Sequence, residues 1–84
     1  MTSAFLLINC DFPFAGDVIT ELEQLPEIID IYKLHGKYDV IARVKSDDEE
    51  TLNEIVKARI RKIDKIKSTL TMIIVEGHKI EDKK

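Results

Sequence analysis

The stretch YKLHGKYDV, residues 32–40, places one glycine between two segments that are both typical of β-strands. Gly36 can take a positive φ angle at no steric cost, and the side chain of Asp39 can bind the backbone amides that follow it. The chain is therefore predicted to reverse here in a short hairpin. The loop leaves amide donors, a cation and a carboxylate at one rim of the sheet, where a small zwitterion could bind. A turn that only fixes the strand register is the alternative.

The hairpin joins a second and a third strand, predicted at residues 27–34 and 38–45, where β-branched and aromatic side chains are frequent. A short apolar run predicts a first strand at residues 4–10. A fourth strand is predicted at residues 65–76 and ends at Gly77.

Two amphipathic helices lie between these strands. The first is predicted over residues 14–25, and Pro26 is expected to stop it. The second follows Ser46, which is predicted to form a capping box with Glu49. Acidic residues in its first turn and basic residues in its last match the helix dipole. Its apolar residues recur at helical spacing: Leu52, Ile55, Val56, Ile60 and Ile63.

The order strand, helix, strand, strand, helix, strand is a doubled βαβ unit. It predicts an α+β, ferredoxin-like βαββαβ fold. Right-handed crossovers place both helices on one face of a four-stranded antiparallel sheet, with the first and third strands in the middle. Residues 1–77 are expected to form this single domain, and residues 78–84 a polar C-terminal tail.

The strands are apolar on both faces, although two helices can cover only one. The first strand, for example, is apolar at Leu6 and Ile8 and again at Phe5 and Leu7. Left in water, the second set would form a larger apolar patch than monomers usually expose. We therefore predict a homodimer in which two sheets pack face to face, a dimeric α+β barrel.

Composition excludes several classes of protein. Hydrophobic residues make up 44% and charged residues 35%, which indicates a folded chain, and the formal charge of −3 gives no general attraction to nucleic acid. No apolar run approaches the length of a membrane span and the N-terminus lacks a basic secretion signal, so a cytoplasmic location with no membrane partner is expected. Cys10 is the single cysteine and is expected to be a small buried side chain rather than a reactive thiol.

The sequence predicts no catalytic residue, no metal site and no cofactor. The two imidazoles, His35 and His78, have no neighbouring ligand in a metal pattern, and no phosphate-binding or dinucleotide motif is present. Thr69 and Thr71 are two residues apart on a strand and so point the same way. They could bind a carboxylate or an amine, or they could reflect only strand propensity.

A basic cluster lies in the last turn of the predicted second helix and just after it. It is best explained as the cationic end of a helix, with phosphate binding as the alternative. Its members are Arg59, Arg61, Lys62, Lys65 and Lys67.

Residues 34–40, the LPEI segment at residues 25–28 and the STLT segment at residues 68–71 together resemble the effector domain of the Lrp/AsnC feast/famine regulators, called RAM. The most specific element is the Gly-x-Tyr-Asp turn at residues 36–39. The resemblance covers about residues 3–77. Because no helix-turn-helix segment precedes it, the resemblance implies a stand-alone RAM domain without direct nucleic-acid binding.

The resemblance also implies a function. RAM domains dimerise through their sheets, assemble into tetramers or octamers, and bind amino acids between dimers. This chain is therefore expected to be an amino-acid-sensing and oligomerisation domain that modulates full-length Lrp/AsnC regulators. The site implied by the family comprises Gly36, Lys37, Tyr38, Asp39, Thr69 and Thr71.

Two other interpretations stay open. One is a small dimeric α+β barrel enzyme, an oxygenase or isomerase, which needs a polar pocket between sheet and helices. Asn9 and Tyr32 are the inward candidates for such a pocket. The other is a purely structural oligomerisation module, or an amino-acid-binding domain of the related ACT type.

Overall fold

The computed structural model describes residues 2–75. The polar tail at residues 78–84 and the end of the fourth strand at Gly77 lie outside this range. The predicted βαββαβ order is confirmed. In chain order the main elements are β1 (Thr2–Cys10), α1 (Ala15–Leu22), β2 (Ile28–Lys33), β3 (Val40–Ser46), α2 (Glu49–Ile55) and β4 (Ile66–Ile74). No helix within residues 2–75 has the length and apolar character needed to cross a membrane.

The four strands form one antiparallel sheet in the order β2-β3-β1-β4. The central position of the first and third strands is therefore confirmed. Leu6 pairs with Ala42 on β3 and with Thr71 on β4, and Ile8 lies next to Thr69 in the same way. Since directly paired residues share a face, these pairs define the side of the sheet that carries the core.

Both helices pack on that side, as predicted. Their apolar faces join alternate residues of β1 and β3 in one buried cluster. Each fully buried side chain of this size contributes about 1.5–3 kcal/mol relative to leaving it in water. The largest fully buried side chains are Leu6, Ile8, Val18, Leu22, Val40, Val44, Leu52 and Ile60.

The first helix is shorter than predicted. A 3-10 turn, Phe12–Phe14, precedes α1, which ends at Leu22 rather than at residue 25. The N–H of Leu25 donates to the carbonyl of Leu22 at 3.0 Å, so the chain leaves the helix through a tighter turn. Pro26 disfavours the helical conformation of the residue that precedes it, Leu25, so the helix does not continue through this segment.

The predicted capping box of the second helix is wrong. Ser46 is the last residue of β3 and pairs with Thr2, so it is fixed in extended conformation two residues before the cap. The cap is Asp48, whose Oδ1 accepts a hydrogen bond of 2.7 Å from the N–H of Thr51. This bond holds the pKa of the Asp48 carboxyl below its ordinary value. The helix then continues into a π-helical turn, Val56–Ile60.

The hairpin forms, but not through a left-handed glycine. Neither glycine of the described range has a positive φ, and Lys65, at 77°, is the residue there that does. The loop closes where the N–H of Leu34 donates to the carbonyl of Asp39 at 2.8 Å, so it spans residues 34–39. A loop of this width does not need the left-handed residues that two-residue hairpins require, and Gly36 is free of that constraint.

Candidate functional site

The face of the sheet opposite the helices is apolar and uncovered in the single chain. Phe5 lies between Arg43 and Met72 in the strand register, and Leu7 lies between Ile41 and Leu70. The exposed fraction is 36% for Phe5 on the central strand β1, and 44% for Leu70 and 45% for Met72 on its neighbour β4, which is high for large apolar side chains. The predicted second apolar set is therefore confirmed as an exposed surface, which we call the open face.

Polar groups on the open face pair with each other near its margin. Arg43 Nη2 lies 2.6 Å from Asp30 Oδ2, and Asn9 Nδ2 donates to Ser68 Oγ at 3.4 Å. Tyr32 lies on this face and is 62% exposed. Asn9 and Tyr32 were the inward candidates of the enzyme interpretation, and this placement is wrong because both belong to the set that alternates away from the core.

The hairpin rim brings Gly36, Lys37, Tyr38 and Asp39 together at one end of the sheet. The first two are exposed and the last two are half-buried. The sequence suggested that the Asp39 side chain binds the backbone amides that follow it, but the structure shows a different partner. Its Oδ2 instead accepts a hydrogen bond of 2.9 Å from the N–H of Cys10, and its own N–H donates to the carbonyl of Ile8 at 3.0 Å.

Cys10 is 5% exposed, so the expected buried cysteine is confirmed. Burial raises the pKa of its thiol, and the nearby carboxylates of Asp39 and Asp11 raise it further. The thiol is therefore protonated near neutral pH and is a poor nucleophile.

Thr69 and Thr71 lie on the helix side of β4, so their shared direction is confirmed. They line an open concavity of about 380 Å³ between the edge strand and the end of the second helix. The other lining residues are Asn53, Val56, Lys57 and Arg61. Residues 36–39 do not line it.

The two halves of the predicted site flank β1 from opposite sides. Asp39 binds the backbone of Ile8, and Thr69 pairs with the same residue from the other strand. Two strand spacings correspond to about 10 Å. Within one chain, the rim and the hydroxyl pair are therefore neighbours that do not line a common cavity.

Three of the five cations of the basic cluster have a partner within residues 2–75, and one lies at the concavity. Arg59 lies 3.4 Å from Glu27, Lys67 lies 3.1 Å from Asp11, and the Lys65 ammonium lies 4.4 Å from the centroid of the Phe14 ring. Arg61 instead lines the concavity.

Sequence reasoning missed the contribution of Asn53 and Lys57 to this site. The available signal was their spacing: with Arg61 they recur every four residues and so lie along one side of a helix. Within residues 2–75 there is no cluster of three His, Cys, Asp or Glu side chains able to hold a metal ion.

Comparison with known proteins places this geometry in a family. The family model of the Lrp/AsnC ligand binding domain, which describes the sequences of that family, matches residues 3–83 of this chain. The HTH-type transcriptional regulator FL11 of Pyrococcus furiosus is 30% identical over 76 residues, which are 90% of this chain and 50% of that protein. The chain thus spans about half the length of the curated regulators it matches. Homocitrate synthase of Sulfurisphaera tokodaii is 26% identical over 74 residues, 87% of this chain but 16% of the enzyme.

Solved structures agree with the fold. FFRP-DM1 superposes with a TM-score of 0.86 at 32% identity, covering 89% of this chain and all of that one. The hypothetical protein PHS023 from Pyrococcus horikoshii gives 0.85 at 32% identity, with 93% and 94% covered. The regulator NMB0573 from Neisseria meningitidis, solved as a complex with L-Met, gives 0.84 at 14% identity, covering 94% of this chain and 53% of that one, and shows the fold alone. The chain belongs to the Lrp/AsnC ligand binding domain family.

Proposed function

We propose that this chain is an effector-sensing and assembly domain. It binds a small amino acid or a related metabolite where copies of the chain meet, and it thereby modulates Lrp/AsnC-type transcriptional regulators. The observation that carries the proposal is the open face, because monomers rarely expose an apolar patch that extends over neighbouring strands, and a second copy of the chain can cover it.

The assembly step follows from the side chains of that face. Phe5, Leu70 and Met72 occupy the two strands β1 and β4, while the Arg43–Asp30 ion pair lies at the other margin. A two-fold dimer that places two such faces together buries the apolar strip and leaves the ion pair at the rim, as in the polar rim of stable interfaces. Dimers of this kind are expected to assemble further, into tetramers or octamers.

The ligand step uses Gly36, Lys37, Tyr38 and Asp39 at the rim and the hydroxyl pair Thr69 and Thr71 on β4. Because β1 separates the two sets within one chain, a ligand that contacts both sets is best accommodated at a junction between copies. A ligand bound at such a junction stabilises the assembled form in proportion to its preference for it.

The partners are inferred from the relatives. The regulators that match this chain are about twice as long and are named as HTH-type transcriptional regulators. A chain that shares their ligand binding domain is suited to join their assemblies, and one protein of this fold was solved with L-Met. The homocitrate synthase matches favour a second candidate, in which the same kind of domain senses an effector for an enzyme.

The experiment is a native mass measurement of the purified chain with each of the twenty amino acids in turn, followed by calorimetry on those that shift the mass. At least one amino acid is expected to change the distribution of oligomers. The double variant Thr69→Val, Thr71→Val removes both hydroxyls while keeping their shape, and it is expected to weaken that ligand about tenfold or more.

The matched control is Thr20→Val, which changes an exposed threonine of α1 whose hydroxyl bonds to Gly16. It is expected to leave binding unchanged. If no amino acid changes either the mass or the melting temperature, the proposal fails and a purely structural oligomerisation module is the better description.

A further inference from the structure

A stripe of polar side chains faces the hydroxyl pair across the concavity at β4. Asn53 lies in α2, Lys57 lies in the π-helical turn and Arg61 follows it. The N–H of Arg61 donates to the carbonyl of Val56 at 2.9 Å, five residues earlier, which is the bond of a π turn. A π turn contains more residues than an α turn, so side chains four positions apart point in more nearly the same direction across it.

The lining of this concavity is cationic. Among residues 2–75, it includes two positive side chains, Lys57 and Arg61, and no carboxylate. The concavities at Glu27 and Asp47, at Asp17 and Glu21, and at Asp30 each include an acidic residue.

Neither cation has an acidic partner within the described part of the chain, so both are available to a ligand. Among residues 2–75, the ion pairs join Arg43 to Asp30, Arg59 to Glu27 and Lys67 to Asp11, and none involves Lys57 or Arg61. Lys57 and Arg61 differ from these three basic residues, because no acidic side chain of the described part of the chain forms an ion pair with them.

We propose that the concavity selects a dicarboxylate, such as an acidic amino acid or a four- to five-carbon diacid, with one carboxylate at Lys57 and the other at Arg61. This inference rests on the proposed function and specifies the ligand class. The guanidinium of Arg61 is suited to a planar carboxylate that it can bind through two parallel bonds. Asn53, Thr69 and Thr71 supply the neutral donors and acceptors.

Spacing favours a dicarboxylate over a single compact anion. Residues four apart on a helix have Cβ atoms about 5–6 Å apart, so Lys57 and Arg61 leave the helix at separate points and each can bind its own carboxylate. A phosphate concentrates its charge on one centre, whereas a short diacid carries a charge at each end. The volume of about 380 Å³ lies at the small end of the range of ligand sites, which suits a ligand of this size.

The test is calorimetry of the full chain at low and at moderate salt, with L-aspartate, L-glutamate and succinate against L-leucine, L-lysine and inorganic phosphate. At least one diacid is expected to bind tenfold or more tightly than leucine and lysine. Lys57→Gln and Arg61→Gln are each expected to weaken that diacid about tenfold, because a charge-assisted bond is lost. Lys62→Gln removes an exposed cation beside the stripe and serves as the control for net charge.

The outcomes separate this inference from the proposed function. If a neutral or basic amino acid binds best and Lys57→Gln and Arg61→Gln do not affect it, the diacid assignment is wrong while the sensing proposal stands. If phosphate binds more tightly than every diacid, the site is an oxyanion site of another class. If no diacid binds the parent chain at millimolar concentration, the inference fails outright.

Discussion

Asp39 combines a structural contact with a place in the proposed site, and its replacement has a definite expected cost. Its Oδ2 accepts the N–H of Cys10 at 2.9 Å in a partly buried position, between residues far apart in the chain. Asp39→Ala leaves that amide without its acceptor, which costs about 2 kcal/mol. In a domain of this size the melting temperature falls by roughly 8–16 °C. Asp39→Asn keeps an acceptor oxygen and is expected to cost less than about 1 kcal/mol.

The assay is thermal unfolding followed by circular dichroism, at one fixed protomer concentration because assembly makes the melting temperature depend on concentration. Asp47→Ala removes an exposed carboxylate between β3 and α2 and is expected to stay within about 0.5 kcal/mol of the parent. A melting temperature for Asp39→Ala equal to that of the control would refute this reasoning. Asp39→Asn also isolates the ligand role, since weaker effector binding in a stable variant assigns a function to the charge itself.

Three further outcomes follow from the same structure. Met72→Asp places a charge on the open face and is expected to yield a folded monomer by sedimentation, whereas the exposed Gln24→Glu keeps the assembly of the parent. Asp48→Ala is expected to lower the melting temperature because the N–H of Thr51 loses its hydrogen-bond acceptor. Folding lowers the pKa of the Asp48 carboxyl below its ordinary 3.8, so the stabilisation is present above pH 3.8 and is lost as the pH falls through the pKa of the folded state. A variant that melts like the parent at pH 7 would disprove the cap. Gly36→Ala is expected to be neutral or up to about 1 kcal/mol stabilising in urea unfolding, since no atom lies within 4 Å of the new Cβ; a clear loss would show that the turn needs glycine.

Local periodicity was sufficient to predict the order of elements. The alternation along β1 predicted that one apolar set would face the helices and the other would be left uncovered, because a strand presents successive residues to opposite faces. It did not predict which set is which, and the structure buries Leu6 and Ile8. The direction of Thr69 and Thr71 follows from the same rule. The open face was therefore predictable from sequence, since it depends on strand pattern and helix number alone.

The errors concern contacts that tertiary structure decides. Ser46 has the residue type of a helix cap, but pairing with Thr2 keeps it in the sheet, so Asp48 takes that role. Asp39 binds the amide of Cys10, a partner that no local rule indicates. The positive φ of Lys65 has no signal either, because glycine and asparagine are the usual residues there.

The cationic stripe was missed for a related reason. A basic residue near the end of a helix is usually explained by the helix dipole, and the sequence offers no way to see which cations have partners. The structure separates Arg59, which pairs with Glu27, from Arg61, which lines the concavity with Thr69 and Thr71.

Sedimentation equilibrium of the purified chain at low micromolar concentration tests the central claim most directly. Packing of two open faces requires a mass of at least twice 9.7 kDa, with larger multiples where an effector joins dimers. A single species of 9.7 kDa that stays folded and leaves Phe5, Leu70 and Met72 in contact with water would contradict the account.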